Sequence, residues 1–136
     1  MSVRNIEQGL YNLPDTSITL TTSGAFSKTI TANINVLNGT VTLSLPSIMG
    51  VIANSFPIQT QLPSDYRFPS DISQDLSFLC VVRSSDSIVS NIAVINLSMG
   101  SGVITISAGV NNEDFQVGSI NEWGMIYPVT LTYNLA

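Results

Sequence analysis

The sequence predicts an all-β protein in which antiparallel strands form a sandwich of about eight strands. Three observations support this prediction. Apolar and polar residues alternate through much of the chain, turn signals recur roughly every 8–15 residues, and helical periodicity is nearly absent. This strand spacing is typical of an antiparallel β-sandwich of the jelly-roll type. The length of 136 residues is usual for one domain.

A β-hairpin is predicted in the first third of the chain. Residues 17–21 alternate, and residues 26–36 alternate again with their apolar side chains on one face. Asn38 and Gly39 follow, and both residue types tolerate the positive φ that a two-residue hairpin turn needs. The returning strand covers residues 40–45 and ends at a proline.

The second half of the chain contains further strand patterns. These are apolar runs or alternating segments at residues 76–83, 92–97, 103–106 and 129–135. A Gly-Ser-Gly turn joins the middle two. The proline-rich segment 62–69 is unsuited to a central strand, and residues 5–11 are the one short helix candidate.

The charge content is low and argues against several classes of partner. Charged residues make up 10% of the chain, against about 25% in a typical soluble domain. The net charge of −5 and the scattered basic residues exclude nucleic acid as an expected partner. We expect no membrane insertion and no secretion signal, because the chain has no long apolar stretch and its N-terminus has no apolar core. A neutral surface of hydroxyls and amides suits dense assembly.

The residues of common catalytic and metal sites are missing. The chain has no histidine and a single cysteine, so neither a Ser-His or Cys-His nucleophile nor a zinc site is expected. We therefore predict no enzyme activity, no catalytic residues and no cofactor. Cys80 lies in an apolar run, which indicates a buried thiol. The carboxylates leave two alternatives open. One is a glycosidase-like pair among Asp65, Asp71, Asp75 and Glu113–Asp114, and the other is a Ca²⁺ site that uses Asp71, Asp75 or Glu113–Asp114.

The order of several segments resembles a known family. These segments are Asn38–Pro46, the run Leu62-Pro63-Ser64-Asp65-Tyr66-Arg67-Phe68-Pro69, the turn at Met99–Ile106, Phe115, Gly118 and the last strand at Val129–Tyr133. Together they resemble the head domains of phage tail-fibre and receptor-binding proteins. Those heads are small jelly rolls of the C1q/TNF-like kind that pack as trimers. The resemblance covers roughly residues 25–135, and Phe68 interrupts its Leu-Pro-x-x-Tyr-Arg-Pro pattern.

The resemblance implies both an organisation and a function. Residues 1–24 form an N-terminal segment that is a candidate docking arm, and residues 25–136 form the head. The chain would be a homotrimeric virion attachment protein that is made in the host cytoplasm and contacts other virion proteins and a host-surface glycan or receptor. A second interpretation is a minor capsid or cement protein that stabilises the shell. A carbohydrate-hydrolysing enzyme is a third.

Loops are the expected binding surface, because the strands of such a head are committed to its core and its trimer contacts. The polar loop 108–122 offers Asn111, Asn112, Glu113 and Asp114, and Trp123 follows it. Trp123 either stacks on a ligand or folds back over the edge of the core. A smaller candidate is the pair Tyr66 and Arg67. No metal ligands are predicted among these candidates.

Overall fold

The computed structural model describes residues 12–67, 75–87, 90–118 and 120–134. These residues form eleven β-strands and one turn of 3₁₀ helix at Ser64–Tyr66. The strands are β1 (Asn12–Thr21), β2 (Ser23–Gly24), β3 (Thr29–Leu37), β4 (Thr40–Leu45), β5 (Ile48–Val51), β6 (Ile58–Gln61), β7 (Asp75–Arg83), β8 (Asn91–Ser98), β9 (Val103–Ile106), β10 (Glu122–Met125) and β11 (Val129–Asn134).

The strands form two antiparallel sheets that pack as a sandwich. The four-stranded sheet has the order β1-β3-β4-β11, and the seven-stranded sheet has the order β2-β6-β9-β8-β7-β10-β5. The predicted all-β antiparallel sandwich is therefore confirmed. Eleven strands are present where about eight were expected, because β2, β5, β6 and β10 contain only two to four residues each. Such short strands leave little alternating pattern in a sequence.

The hairpin of the four-stranded sheet matches its sequence prediction. Leu37 pairs with Thr40, so Asn38 and Gly39 form a two-residue loop. Their φ angles are 52° and 79°, as a type I′ turn requires. The same turn geometry fixes the register of β3 against β4, which places Ile34 beside Leu43 on the inner face.

The core lies between the two sheets. Alternate residues of the strands point inward, and Phe115 joins them from the loop after β9. The largest fully buried side chains include Ile34, Leu43, Ile95, Leu97, Ile104 and Phe115. Cys80 is also buried, as its apolar neighbours predicted, and burial raises the pKa of its thiol to about 11. The thiol therefore stays protonated at neutral pH and packs as a small apolar group.

Residues 12–24 contribute strands to both sheets. β1 pairs with β3, and β2 pairs with β6. A role of residues 1–24 as a docking arm, separate from the head at 25–136, stays a prediction. The helix candidate at residues 5–11 lies outside the described residues.

Candidate functional site

The sandwich has two ends that differ in composition. We call one the hairpin end, because it holds the Asn38–Gly39 turn. Asn12 pairs with Leu37 and Asn134 pairs with Thr40, so both the first and the last described residues lie at this end.

The opposite end of the sandwich is formed by loops, and we call it the loop end. β9 runs from the hairpin end to the loop end. Its first residue, Val103, pairs with Gln61 at the end of β6, close to Tyr66, whose carbonyl accepts a hydrogen bond from Tyr133 beside the hairpin. Its last residue, Ile106, pairs with Ile58, which lies beside Gly24 beyond the far end of β1. Beyond Ile106 lies the β9–β10 loop, residues 107–118 and 120–121. The loops at 52–57 and 84–87 lie beside it.

Hydrogen bonds tie these loops to one another. The backbone N–H of Phe115 donates to the carbonyl of Phe56 at 3.2 Å, and the N–H of Val117 donates to Ser55 Oγ at 3.3 Å. Asn121 Nδ2 donates to Asp86 Oδ1 at 2.7 Å, which joins the third loop. The loop end is therefore one connected surface.

The β9–β10 loop is held from within. Phe115 is fully buried and anchors the middle of the loop in the core. The N–H of Ala108 donates to the carbonyl of Glu113 at 2.8 Å, and Asn112 adopts a φ of 57°, which closes a tight turn. The carboxylate of Glu113 lies over Gly109, where a side chain would come within 2.6 Å of its Oε1.

This anchoring presents four of the predicted site residues to solvent side by side. Asn111, Asn112, Glu113 and Asp114 are all exposed on the turn that Phe115 supports. Amide and carboxylate groups on a fixed turn are suited to hydrogen bonding with a sugar or a protein surface, because their positions need little ordering on binding.

Trp123 does not belong to this exposed group. It lies in β10, its side chain is only 6% exposed, and its Nε1 donates to Asp86 Oδ1 at 3.3 Å. No strand was predicted here, because the four residues of β10 contain a glycine and carry little strand signal. Its ring covers the edge of the core, the second of the two alternatives, and leaves almost no face for a ligand to stack on.

Tyr66 and Arg67 lie at the other end of the molecule. Tyr133 Oη donates to the carbonyl of Tyr66 at 2.9 Å, and Arg67 Nε donates to the carbonyl of Leu62 at 2.8 Å. The stem of Arg67 packs on Gly102, in the turn before β9. Burial raises the pKa of the Tyr66 hydroxyl, and the negative charge of Asp65 makes a smaller contribution in the same direction. Because the length of β9, about 10 Å, separates the two predicted groups, the structure does not bring them together.

Apolar side chains at the loop end were not predicted as site residues. Exposed there are Phe56 at 56%, Val110 and Val117 at 53% each, and Ile120 at 91%. The signal available in the sequence was isolated apolar residues within polar loops, a pattern that buried anchors such as Phe115 share.

The described residues hold no cluster of metal-ligating side chains. Within 12–67, 75–87, 90–118 and 120–134, no group of three or more Cys, Asp or Glu side chains could hold a metal ion. Asp75 is exposed in β7, and Asp71 lies outside the described residues. In the same part of the chain, no helix is long and apolar enough to cross a membrane.

An open groove of about 380 Å³ lies at the hairpin end, between the start of β1 and the end of β3. It is lined by residues 12–15 and 35–37. It follows the irregularity in β1 pairing between Leu13 and Thr16, and Asn35 Nδ2 donates to Asp15 Oδ1 at 2.8 Å across it. None of the predicted site residues lines this groove.

Comparison with known proteins gives a structural likeness without a match in sequence. No protein-family model matches the sequence, and a search of curated proteins finds no match. The fold is similar to that of a reovirus attachment protein, sigma1, solved in complex with alpha-2,3-sialyllactose, with a TM-score of 0.51 and 13% identity. The match covers 89% of this chain and 64% of the sigma1 chain. The likeness extends to the fold of a viral attachment protein, and a C1q/TNF-like subtype stays a prediction.

Proposed function

We propose that this chain is a virion attachment protein whose loop end contacts a glycan or receptor on the host surface. The observation that carries the proposal is the anchored turn of Asn111, Asn112, Glu113 and Asp114, at the end opposite the described termini. A chain attached through its terminal segments leaves that end free to meet a partner.

The physical mechanism is hydrogen bonding from a rigid loop, multiplied by avidity. Phe115 and the Ala108–Glu113 hydrogen bond fix the turn before any ligand arrives, which lowers the entropy lost on binding. The sigma1 protein was solved with a bound sialyllactose. That supports a glycan as one ligand class for a similar fold. A homotrimer would present three such loop ends, and several weak contacts on one particle bind far more tightly than one.

The remaining parts of the proposal concern assembly. The chain is made in the host cytoplasm and incorporated into the virion, where the segment 1–24 docks it to other virion proteins through residues at the hairpin end. The candidate pair Tyr66 and Arg67 lies at the hairpin end, on the side of this docking contact. We therefore assign it a secondary role in binding.

One observation favours the cement interpretation as a second candidate. The outer face of the four-stranded sheet is almost entirely Ser, Thr and Asn, which can be buried against coat subunits with little charge to desolvate. In that case the protein would lie flush with the shell and touch no receptor.

The test is a loop variant with a matched control. Asn112→Ala/Asp114→Ala removes exposed polar groups from the turn, whereas Asn33→Ala/Thr132→Ala removes them from the outer face of the four-stranded sheet. We expect the loop variant to lower binding to host cells or to a glycan array about tenfold or more, as loss of hot-spot contacts does. We expect the control to bind as the parent does.

Two outcomes would contradict the proposal. A folded loop variant that binds like the parent would show that the loop assignment is wrong. A parent that binds neither cells nor glycans, with an antibody label lying flush on the particle, would establish the cement role instead. Trp123→Ala is unsuitable as a binding variant, because truncating this buried side chain is expected to destabilise the fold.

A further inference from the structure

The outer face of the seven-stranded sheet carries a block of four aliphatic side chains. Leu79 pairs with Val94, and Val81 pairs with Ile92, so the four lie as two adjacent cross-strand pairs on β7 and β8. We call this block the β7–β8 patch. Leu79 is 69% exposed and Ile92 is 58% exposed.

The patch is not a by-product of core packing. The intervening residues Cys80 and Val82 point inward and are buried, together with Ala93 and Ile95 on β8. The core is therefore complete without the patch. A single exposed aliphatic residue is ordinary, but a contiguous group on one face is typical of an interaction surface.

The surroundings of the patch are mostly polar. On the same face, Ser77 and Arg83 flank it along β7, Asn96 follows it along β8, and Thr105 and Gln59 lie beyond Asn96 on β9 and β6. Among the described residues of this face, the charged side chains are Asp75, Arg83 and Glu122, two acidic and one basic. An apolar centre inside a polar rim is the usual anatomy of a protein–protein interface.

We propose that the β7–β8 patch is the contact surface between copies of this chain in a homotrimer. The inference rests on the proposed attachment function, which it deepens by assigning the assembly surface. It places the contact on a sheet face rather than on the sheet edges.

The lack of a predominant charge among the described residues of this face points to an identical copy as the partner. A homotypic contact brings copies of the same face together, so a face dominated by one sign of charge would repel itself. Aliphatic groups have no such conflict, and amides and hydroxyls such as Asn96 and Thr105 both donate and accept hydrogen bonds. A face made of these groups is complementary to itself.

The patch lies at the centre of a face of limited size. Strands of two to nine residues, at about 3.3 Å per residue and 4.8 Å between strands, cover roughly 550 Å². This is smaller than the ~800 Å² per partner of a standard stable interface, so most of the contact energy must come from the apolar patch. Three copies arranged around an axis along the strands would turn their patches inward and leave all three loop ends pointing the same way.

The experiment compares exposed aliphatic residues in different places by light scattering at micromolar concentration. The test variant is Leu79→Ser/Ile92→Ser. The control is Leu37→Ser, whose side chain is 67% exposed at the hairpin end of the other sheet. We expect the parent and the control at about three times the 14.5 kDa monomer mass, and the test variant at the monomer mass.

A second variant and a second readout keep the test decisive. Leu79→Arg adds like charges that face one another in a trimer and should also give a monomer, with circular dichroism confirming that it folds. Cell binding by the monomeric variants should fall at least tenfold through lost avidity while the loop end is intact.

Each outcome separates the two proposals. A monomeric parent, or patch variants that remain trimeric, would overturn the assembly surface and leave the attachment function standing. A trimeric parent that binds no cell or glycan would overturn the attachment function, while the oligomeric state of the variants would still decide the assembly surface.

Discussion

The outer faces of the two sheets arise from the same alternation of inward and outward residues, but their side chains differ in polarity. On the four-stranded sheet, the outward residues include Ser17, Thr19, Thr31, Asn33, Thr42, Ser44, Thr130 and Thr132. On the seven-stranded sheet, the centre of the outward face is the β7–β8 patch of Leu79, Val81, Ile92 and Val94. Both faces are nearly free of charge, and only one is apolar.

The fold itself does not require this difference. The inward residues of both sheets are aliphatic, because the sandwich must bury them. The outward residues are under no such constraint, so their composition reports what each face meets. The hydroxyl face is suited to water or to a loosely packed neighbour, and the aliphatic face is suited to a dry contact.

Side-chain hydrogen bonds strengthen the contrast. On the hydroxyl face, Ser17 Oγ donates to Asn33 Oδ1 at 3.1 Å, and Thr40 Oγ1 donates to Asn134 Oδ1 at 2.8 Å. These bonds join neighbouring strands within the face. The polar groups of this face therefore satisfy one another in part and need no partner protein.

The largest expected effect comes from damaging the sheet that carries the patch. Gly124 lies between β5 and β7 with a φ of +144°, and a side chain at this position would run into the carbonyl of Ile48. Gly124→Val should lower the free energy of unfolding by about 3 kcal/mol or more, since backbone strain and overpacking add. Urea unfolding of the purified protein measures the change.

Gly118 provides the control for that substitution. Its φ is +142°, but a side chain there would meet no atom within 4 Å. Gly118→Val should therefore carry the backbone strain alone, about 1–3 kcal/mol. Equal losses at the two positions would show that crowding against Ile48 contributes nothing.

Sequence patterns found the long elements of both sheets. The predicted strand at residues 40–45 has the bounds of β4, and the one at 103–106 has those of β9. These segments alternate over several residues between strong turn signals, so local physics decides their structure. The Asn38–Gly39 turn was predictable for the same reason, because positive φ restricts the choice of residue.

Sequence patterns could not show which elements become neighbours. Strands β5 and β10 pair across more than seventy residues of chain, and this pairing places Trp123 in a strand that was not predicted. It also buries the ring against the core rather than leaving it for a ligand. Likewise, nothing local indicated that Arg67 and Asn112 lie at opposite ends of β9. The patch could not be predicted, because Leu79 and Ile92 lie in continuous apolar runs. Such runs are typical of strands that are buried on both faces.

The next effect concerns the residue directly behind the patch. Cys80 is buried, and the pKa of its thiol is raised from an ordinary 9.0 to about 11. Above pH 9 the unfolded chain loses this proton while the folded chain retains it, so stability should fall as pH rises to 11. We expect a loss on the order of 1 kcal/mol per pH unit across that window.

Substitution of the thiol isolates its contribution to the alkaline loss. Cys80→Ala removes this titration, so part of the pH dependence between 9 and 11 should disappear. The remainder belongs to groups such as Tyr133, whose pKa burial also raises. Identical pH profiles of the parent and the variant, measured by thermal unfolding, would contradict the assignment to Cys80.

A smaller effect is expected in the four-stranded sheet. Gly39 occupies the second position of the type I′ turn with a φ of 79°. Gly39→Val places a β-branched residue in this region and should cost about 1–3 kcal/mol in urea unfolding. Gly39→Asn is the control, because asparagine tolerates positive φ and should cost distinctly less. Equal costs would mean that φ is not what selects glycine at this turn.

The smallest effect on stability gives the sharpest test of what the outer faces do. Thr19 and Thr31 are directly paired and exposed on the hydroxyl face, and Thr19→Val/Thr31→Val replaces two hydroxyls by methyl groups of similar shape. Valine suits a strand at least as well as threonine, so the free energy of unfolding should change by no more than about 0.5 kcal/mol. The substitution nevertheless gives this face two adjacent aliphatic side chains, as on the β7–β8 patch. If apolar character is what makes an outer face associate, light scattering should show species larger than the parent at the same concentration, and combining this variant with Leu79→Ser/Ile92→Ser should restore some association. If the variant leaves the mass unchanged in both backgrounds, two aliphatic residues are not enough, and the association of the seven-stranded sheet must depend on the full block of four with its polar rim.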